Sequence, residues 1–322
     1  MLRRCLAILL LSCSAATYAD LTVGLLTSRA SEQTVEDWQP VLDDLAAATG
    51  QKVKGVVLTD HAELLRRLQS KEIQIARVDN KLALDAVEKA NCEVFARLAI
   101  TGGVSEYRSV MLVRKDSPIK NADQLLDMPK KLRYAGGKPG TTAEYLIPQY
   151  HLFMKRNVLS EQYFTQNMQV GTEDAFIALA RKQVDVAVSN TVDLEQLKEK
   201  YPRDFSQMRV VWESPNFAFD PLIMRNDLPA AQKNTISQFF LDYGRKGANV
   251  AQAKQRLYYA DQLSGFVRAD NRTLRQVTDL QLFHDLFRLT FNNQLAADAK
   301  NAQQKAYYQR YNQLVGLLGG AK

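Results

Sequence analysis

The sequence has few cysteines, few histidines and no long apolar run, and each shortage excludes a class of protein. The N-terminal apolar run Leu6–Leu11 is too short to span a bilayer as a helix. No later stretch approaches the ~20 apolar residues that a membrane-spanning helix needs. No segment interleaves dense lysine and arginine with aromatic residues, so nucleic acid is not an expected partner. The net charge of +7 among 322 residues is too mild to identify a partner. What remains is a globular chain long enough for two domains.

The chain also lacks the signatures of common hydrolases and metal enzymes. It contains no Gly-x-Ser-x-Gly, no His-Glu-x-x-His and no cysteine pair with metal-binding spacing. Its three histidines, His61, His151 and His284, do not follow the spacing of metal ligands. The sequence therefore predicts a protein that is not an enzyme and that uses neither a metal nor a cofactor.

The first nineteen residues are typical of a secretory signal peptide. Two arginines precede Leu6–Leu11, and small residues lead to a cleavage site after Ala19. Cys13, in Leu10-Leu11-Ser12-Cys13, loosely resembles a lipoprotein cysteine, but a bulky leucine stands where a smaller residue is usual and disfavours lipidation. Cleavage after Ala19 leaves Cys92 as the only cysteine, so no internal disulfide is expected. We therefore expect an exported protein.

The apolar pattern predicts two blocks of alternating strands and helices, which indicate parallel βαβ units. The first block has predicted strands at 21–26, 53–58 and 73–76, with helices at 35–48 and 61–68 between them. The second block follows two extended runs, and the last third of the chain reads as helical. We expect residues 20–114 and 222–322 to form lobe 1 with the C-terminal helices, and residues 115–221 to form lobe 2. A cleft between two such lobes is the expected ligand site.

One glycine-rich stretch, Tyr134–Pro148, is the candidate binding loop. It runs through three glycines into Thr141 and Thr142 and then into an apolar helix start. Such a loop leaves backbone N–H groups unpaired at the positive end of the helix dipole, which suits an anion. A Walker A loop is excluded because Lys138 is followed by proline. The threonines either cap the helix or donate to an oxyanion, and both alternatives remain open.

Seven segments at compatible spacing carry a family resemblance. They are residues 24–28, 38–42, 85–91, 107–118, 182–187, 211–215 and 220–223. These segments are similar to the periplasmic phosphonate-binding proteins of ABC importers (PhnD-like). The resemblance implies a type II periplasmic binding fold that closes on a small oxyanion of the phosphonate, phosphite or phosphate type. It also implies an inner-membrane ABC permease as partner.

The resemblance implies an anion site in this chain, with different residues at some of the family's binding positions. The Ser-Thr-Ser run that holds phosphonate oxygens in the family falls on Thr141, Thr142 and Ala143, and the family histidine falls on Thr172. Two of three hydroxyls are kept and the cationic partner is lost, so an anion is expected to be held less strongly. Glu144 stands where the family has glycine and repels a dianion if it points into the cleft.

The amine side of the family pocket matches less well. Its aspartate is kept as Asp220, its glutamate falls on Val192, and its two tyrosines fall on His61 and Val78. His61 is a candidate for lining the cleft as a replacement cation, with exposed first-turn structure as its alternative. The pocket therefore matches the family only in part.

Two further site candidates follow from their positions. Arg77 ends an apolar strand, and strand ends in α/β sheets face the ligand crevice. Its alternative is a salt bridge to Asp79 or to an acid across the cleft. Tyr107 precedes the strand that crosses between the lobes, where it either packs at the hinge or lines the cleft.

The altered pocket leaves a second function open, that of a sensor reporting to a membrane receptor kinase. The C-terminal region, residues 274–318, is expected to cover the core of lobe 1. Its tyrosines at 307, 308 and 311 offer a surface for a homodimer.

Overall fold

The computed structural model describes residues 20–27, 32–100 and 103–319. The predicted signal peptide, including Cys13, lies outside these residues. The strands are β1 (Leu21–Leu26), β2 (Val53–Leu58), β3 (Ile75–Arg77), β4 (Cys92–Ile100), β5 (Glu106–Tyr107), β6 (Ser109–Arg114), β7 (Arg133–Gly136), β8 (Gln166–Gln169), β9 (Val186–Asn190), β10 (Met208–Glu213), β11 (Phe217–Ala218), β12 (Pro221–Arg225) and β13 (Leu263–Arg268). The α-helices are α1 (Glu32–Thr49), α2 (His61–Gln69), α3 (Asn80–Lys89), α4 (Ala122–Leu126), α5 (Ile147–His151), α6 (Ser160–Tyr163), α7 (Thr172–Ala180), α8 (Thr191–Lys200), α9 (Pro202–Phe205), α10 (Ala230–Asp242), α11 (Val250–Asp261), α12 (Arg275–Phe291) and α13 (Ala297–Leu317). A π-helical turn (Thr142–Leu146) precedes α5, and two 3-10 turns cover Phe153–Arg156 and Asn271–Leu274.

The strands form two main sheets, and in each the parallel strands occupy one side. The first has the order β13-β4-β12-β3-β1-β2, in which β1 pairs in parallel with β2 and β3. The second has the order β10-β6-β9-β7-β8, in which β7 pairs in parallel with β8 and β9. The predicted α/β architecture of two sheets flanked by helices is confirmed.

The chain passes between the sheets twice, and the two passages meet in a short ribbon. There β5 pairs antiparallel with β11, so that Tyr107 lies opposite Phe217. Strand β6 belongs to the second sheet, although residues 109–114 lie on the lobe 1 side of the boundary predicted at residue 114.

The last third of the chain contains a strand, so the expectation of an entirely helical region was wrong. Strand β13 pairs antiparallel with β4, from Leu263 opposite Ile100 to Arg268 opposite Ala96. Helix α11 ends at Gln262, whose left-handed φ of 53° turns the chain into the strand. The strand has only six residues and lies between two long helical patterns, so its short alternation of apolar and polar residues did not predict a strand.

The C-terminal helices do more than cover lobe 1. Helix α12 packs against α3 of the first lobe and also against α5 and the π-helical turn of the second. Arg288 Nη1 lies 3.0 Å from Glu161 Oε1, and the rings of His284 and Tyr145 are 5.4 Å apart. None of the helices in the described part of the chain combines the length and apolar character needed to cross a bilayer.

Candidate binding cleft

A cavity of about 430 Å³ opens between the two sheets. The carboxyl ends of parallel strands from both sheets face it, the position where open α/β sheets bind ligands. Strands β1, β2 and β3 lead into its wall from the first sheet, and β7, β8 and β9 from the second. All seven predicted site residues line this cavity: His61, Arg77, Tyr107, Thr141, Thr142, Thr172 and Asp220.

Glycine allows the loop after β7 to fold back on the helix that follows it. A methyl group at Gly137 would lie 2.4 Å from both Thr141 Oγ1 and Glu144 Cβ, closer than real Cβ contacts come. The Gly137 N–H donates to the carbonyl of Glu144 at 3.3 Å, and Gly140 has a φ of 99°. This close approach places the first helical residues on the cavity wall.

The helix starts with a π-helical turn rather than the continuous α-helix that the sequence predicted. Leu146 N donates to Thr141 O at 3.0 Å, five residues earlier. Pro148 has no N–H to continue this pattern onto Ala143, whose carbonyl instead accepts a hydrogen bond from Ser109 Oγ at 2.6 Å. Such turns are frequent at functional sites. The sequence signal for this turn was Pro148, which lies inside the helix predicted at residues 142–155.

Neither loop threonine caps the helix. Thr141 occupies the N-cap position, but its hydroxyl donates to the carbonyl of Lys138 at 3.0 Å. Thr142 is buried, and its hydroxyl oxygen accepts from the backbone N–H of Lys81, on the other lobe, at 3.1 Å. Because a hydroxyl that accepts can still donate, the Thr142 O–H remains available.

Thr172 lies in the first turn of α7, and the N-cap is Gly171 rather than Thr172. Its hydroxyl donates to Asp193 Oδ2 at 2.5 Å, and Asn190 Nδ2 donates to the same oxygen at 3.0 Å. Burial raises the pKa of Asp193 above its usual range. The single hydroxyl hydrogen of Thr172 is therefore committed to Asp193 in this arrangement.

His61 and Asp79 form a pair on the wall of the first lobe. His61 Nε2 lies 2.9 Å from Asp79 Oδ2, and Asp79 also accepts from the backbone N–H of Leu82 as the N-cap of α3. Burial alone lowers the pKa of His61, but the hydrogen bond and charge of Asp79 outweigh it and raise the pKa overall. His61 is thus a cleft residue whose charge is already partnered.

Arg77 lies between two carboxylates of the same wall. Its Nη2 is 3.4 Å from Asp261 Oδ2 and 4.0 Å from Asp220 Oδ2, and its Nη1 donates to the carbonyl of Leu26 at 3.0 Å. The expected partner Asp79 binds His61 instead. Burial raises the pKa of Asp220 to about 7, although Arg77 opposes this shift. The Arg77 Nε is buried without an acceptor among the described residues.

Tyr107 both packs in the ribbon and lines the cavity. Its buried ring packs edge to face with Phe219, with ring centroids 5.8 Å apart, in the ribbon between the lobes. The same residue lines the cavity, and burial raises the pKa of its phenol.

The cavity wall is more acidic than the sequence suggested. Its carboxylates include Asp79, Glu144, Asp193, Asp220 and Asp261, and Glu144 does face the cleft. The sequence could have predicted Asp193 as a cleft residue, because it follows the carboxyl end of a buried strand. No sequence pattern could have predicted Asp261 as a cleft residue, since only the three-dimensional fold brings the end of α11 to Arg77.

Comparisons with known proteins agree with this architecture. A family model described as an ABC transporter, phosphonate, periplasmic substrate-binding protein matches residues 23–274. The phosphonates-binding periplasmic protein of Escherichia coli (strain K12) is 32% identical over 283 residues, which cover 88% of this chain and 82% of that protein.

Solved structures show the same fold. A binding protein component of an ABC phosphonate transporter from Pseudomonas aeruginosa is 32% identical and has a TM-score of 0.80, with 92% of this chain and 97% of that chain covered. PhnD1 from Prochlorococcus marinus, in complex with methylphosphonate, has a TM-score of 0.68 at 16% identity, with 81% and 96% covered. The fold is therefore that of the type II periplasmic binding proteins. Nothing in these comparisons favours the sensor alternative.

Proposed function

This chain belongs to the family of periplasmic phosphonate-binding proteins of ABC transporters, and from that premise we propose that its cleft captures a small phosphonate-type oxyanion. Proteins of this family are the substrate-binding components of transporters, not enzymes, and they act in the periplasm. The partner that receives the ligand is an inner-membrane permease.

The observation that carries the proposal is a pair of helix starts without side-chain caps on one wall of the cleft. The helical run that begins at Thr142 and helix α7 both enter the cavity wall, and neither N-cap residue, Thr141 or Gly171, provides a side-chain cap. Uncapped N–H groups at the positive end of a helix dipole bind oxyanions. In the first lobe, by contrast, Asp60 and Asp79 cap α2 and α3.

The seven predicted site residues, which all line the cavity, have different proposed roles. Thr141, Thr142 and the neighbouring N–H groups bind the oxyanion, and Thr172 contributes through its backbone N–H. Arg77 and His61 supply positive charge from the opposite wall, held there by Asp220 and Asp79. Tyr107 closes the cavity at the ribbon.

Hinge closure is proposed to bring these walls together. The first sheet forms lobe 1, the second forms lobe 2, and the ribbon of β5 and β11 lies at the two crossings. A ligand that contacts both walls stabilises the closed arrangement over the open one.

Two finer assignments complete the proposal. Residues 1–19 form a signal peptide cleaved after Ala19, which N-terminal sequencing of the exported protein tests. The C-terminal helix α13 forms a homodimer surface, supported by the exposure of Tyr308 (45%) and Leu317 (53%). Sedimentation of the wild type and of a Tyr308→Lys variant tests this surface.

The function is tested by calorimetry against methylphosphonate, phosphite, phosphate and sulfate. We expect saturable one-to-one binding of a phosphorus oxyanion and a rise in melting temperature with its concentration, because the ligand binds only the folded state. Absence of binding to every phosphorus oxyanion would overturn the proposal.

A further inference from the structure

Glu144 presents a carboxylate to the cavity beside the two loop threonines. It is half-buried, and its Cβ lies against Gly137, where any side chain would meet it. Among the described residues, no side chain donates a hydrogen bond to this carboxylate and no cation pairs with it. Apart from a hydrogen bond with its own backbone N–H, this acidic group beside the proposed oxyanion site therefore has no protein partner among the described residues.

The surroundings of Glu144 are mostly acidic or neutral. The titratable groups that face it are Asp193 on α8, Asp79 before α3, Asp220 before β12, Tyr107 on β5 and Tyr134 on β7. Nearby cations have other partners: Arg77 lies by Asp261 and Asp220, His61 by Asp79, and Lys81 by Asp85. Lys138 lines the cavity rim with an exposed side chain.

This environment disfavours a negative charge on Glu144. Burial raises its pKa to about 8, and the charges of Asp193 and Asp79 add to the shift. A dianionic ligand at the threonines would add a further like charge. A protonated carboxyl, in contrast, donates a hydrogen bond to a ligand oxygen, and an ionised one accepts a hydrogen bond from a protonated ligand.

Resting on the proposed function, we infer that the cleft binds its oxyanion together with one proton, which Glu144 shares with a ligand oxygen. The two descriptions, a carboxylic acid with a dianion or a carboxylate with a monoanion, hold the same number of protons. Glu144 is then a specificity-determining residue, since a bound oxyanion that shares no proton leaves two unshielded negative charges in contact.

The inference predicts a particular dependence on pH. Once both the free carboxyl and the free ligand have lost their protons, binding must take up one proton from solution. The affinity then falls about tenfold for each unit of pH increase. Asp220, whose pKa burial raises to about 7, has already lost its proton in that range and does not contribute to this slope.

The experiment is calorimetric titration with methylphosphonate at pH 7.5, 8.5 and 9.5. Wild type is expected to lose about tenfold in affinity between the two higher values and to take up close to one proton, measured in two buffers of different ionisation enthalpy. Glu144→Gln is expected to keep a constant affinity there, because its amide N–H donates at every pH. At pH 9.5 this variant therefore binds at least about tenfold tighter than wild type.

The matched control is Glu195→Gln, the same substitution on the surface of α8. The Glu195 side chain is 68% exposed and its nearest cation is Lys198 at 3.6 Å. This variant is expected to retain the wild-type loss of affinity at high pH. A gain of affinity in Glu144→Gln cannot come from misfolding, so a destabilised variant does not imitate the expected result.

Three outcomes count against the inference. One is an unchanged high-pH slope in Glu144→Gln, and another is binding by wild type without proton uptake. The third is tighter binding of 2-aminoethylphosphonate than of methylphosphonate that is lost in Glu144→Gln, which would assign the carboxylate to a cation. Failure of all phosphorus oxyanions to bind at every pH would instead overturn the proposed function itself.

Discussion

The two walls of the cleft differ in how their polar groups are partnered. On the first-lobe wall, His61 binds Asp79 and Arg77 lies between Asp220 and Asp261. The glycine loop of the second lobe, residues 136–146, presents a buried threonine hydroxyl, uncapped N–H groups and the unpaired Glu144. Charges that are partnered with each other chiefly maintain the shape of a wall, while unpartnered groups are available to a ligand. Substitutions on the first wall should therefore affect stability most, and substitutions in the loop should affect affinity most.

The largest expected effect comes from Arg77→Met. Removal of the guanidinium leaves Asp220 and Asp261 without their shared cation, so the free energy of unfolding should fall by about 3 kcal/mol. Urea unfolding of the ligand-free protein measures this loss. Arg268→Met, on an exposed side chain at the end of β13, is the control and should change stability little. The comparison between the two walls would fail if Arg77→Met left the free energy of unfolding unchanged and greatly reduced the affinity for methylphosphonate.

Gly137→Ala should have the next largest effect, and on affinity. The new methyl group would lie 2.4 Å from Thr141 Oγ1 and Glu144 Cβ, so the loop must move away from its present position. Such overpacking costs about 1–3 kcal/mol, which we expect to appear as a loss of methylphosphonate affinity measured by calorimetry. Gly316→Ala is the matched control, because a Cβ there meets nothing within 4 Å in helix α13. Equal affinities of Gly137→Ala and wild type would show that the loop is not part of the site.

Thr142→Ala is expected to have the smallest effect of the three substitutions, and its effect is on affinity. It removes one hydroxyl that accepts from Lys81 N and has its own hydrogen free for a ligand. We expect affinity to fall by about 1–2 kcal/mol. Thr142→Ser keeps the hydroxyl and should bind nearly as wild type does. If alanine and serine bind equally well, the hydroxyl does not contact the ligand, and the loop serves only as structure.

The sequence predicted much of the fold because alternation of strands and helices is a local signal. Strands β1 and β2 follow the predicted bounds at residues 21–26 and 53–58. Strand β8 was missed because Gln166–Gln169 is polar and largely exposed at a sheet edge. Strand β13 was missed because its six residues, Leu263–Arg268, lie between two long helical patterns.

The sequence predicted which residues line the cavity better than it predicted their contacts. The rule that strand ends face the crevice, together with the resemblance, pointed to seven residues that line one cavity. The partners of those residues depend on tertiary packing. Arg77 meets Asp261, 184 positions away, and Thr172 gives its hydrogen to Asp193. No local pattern specifies such pairs, and they decide which groups remain available.

Helix α12 gives the lobes a third attachment besides the two crossing strands. On its far side from the cleft, the π-helical turn that carries Thr142 also carries Tyr145, whose hydroxyl lies 3.3 Å from both His284 Nε2 and Arg288 Nη1 of α12. If one lobe rotates against the other to open the cleft, there are two possibilities. Either the rotation axis lies close to this contact, or Tyr145 slides along α12. We therefore expect the contacts of Tyr145 with α12 to limit how far the cleft can open.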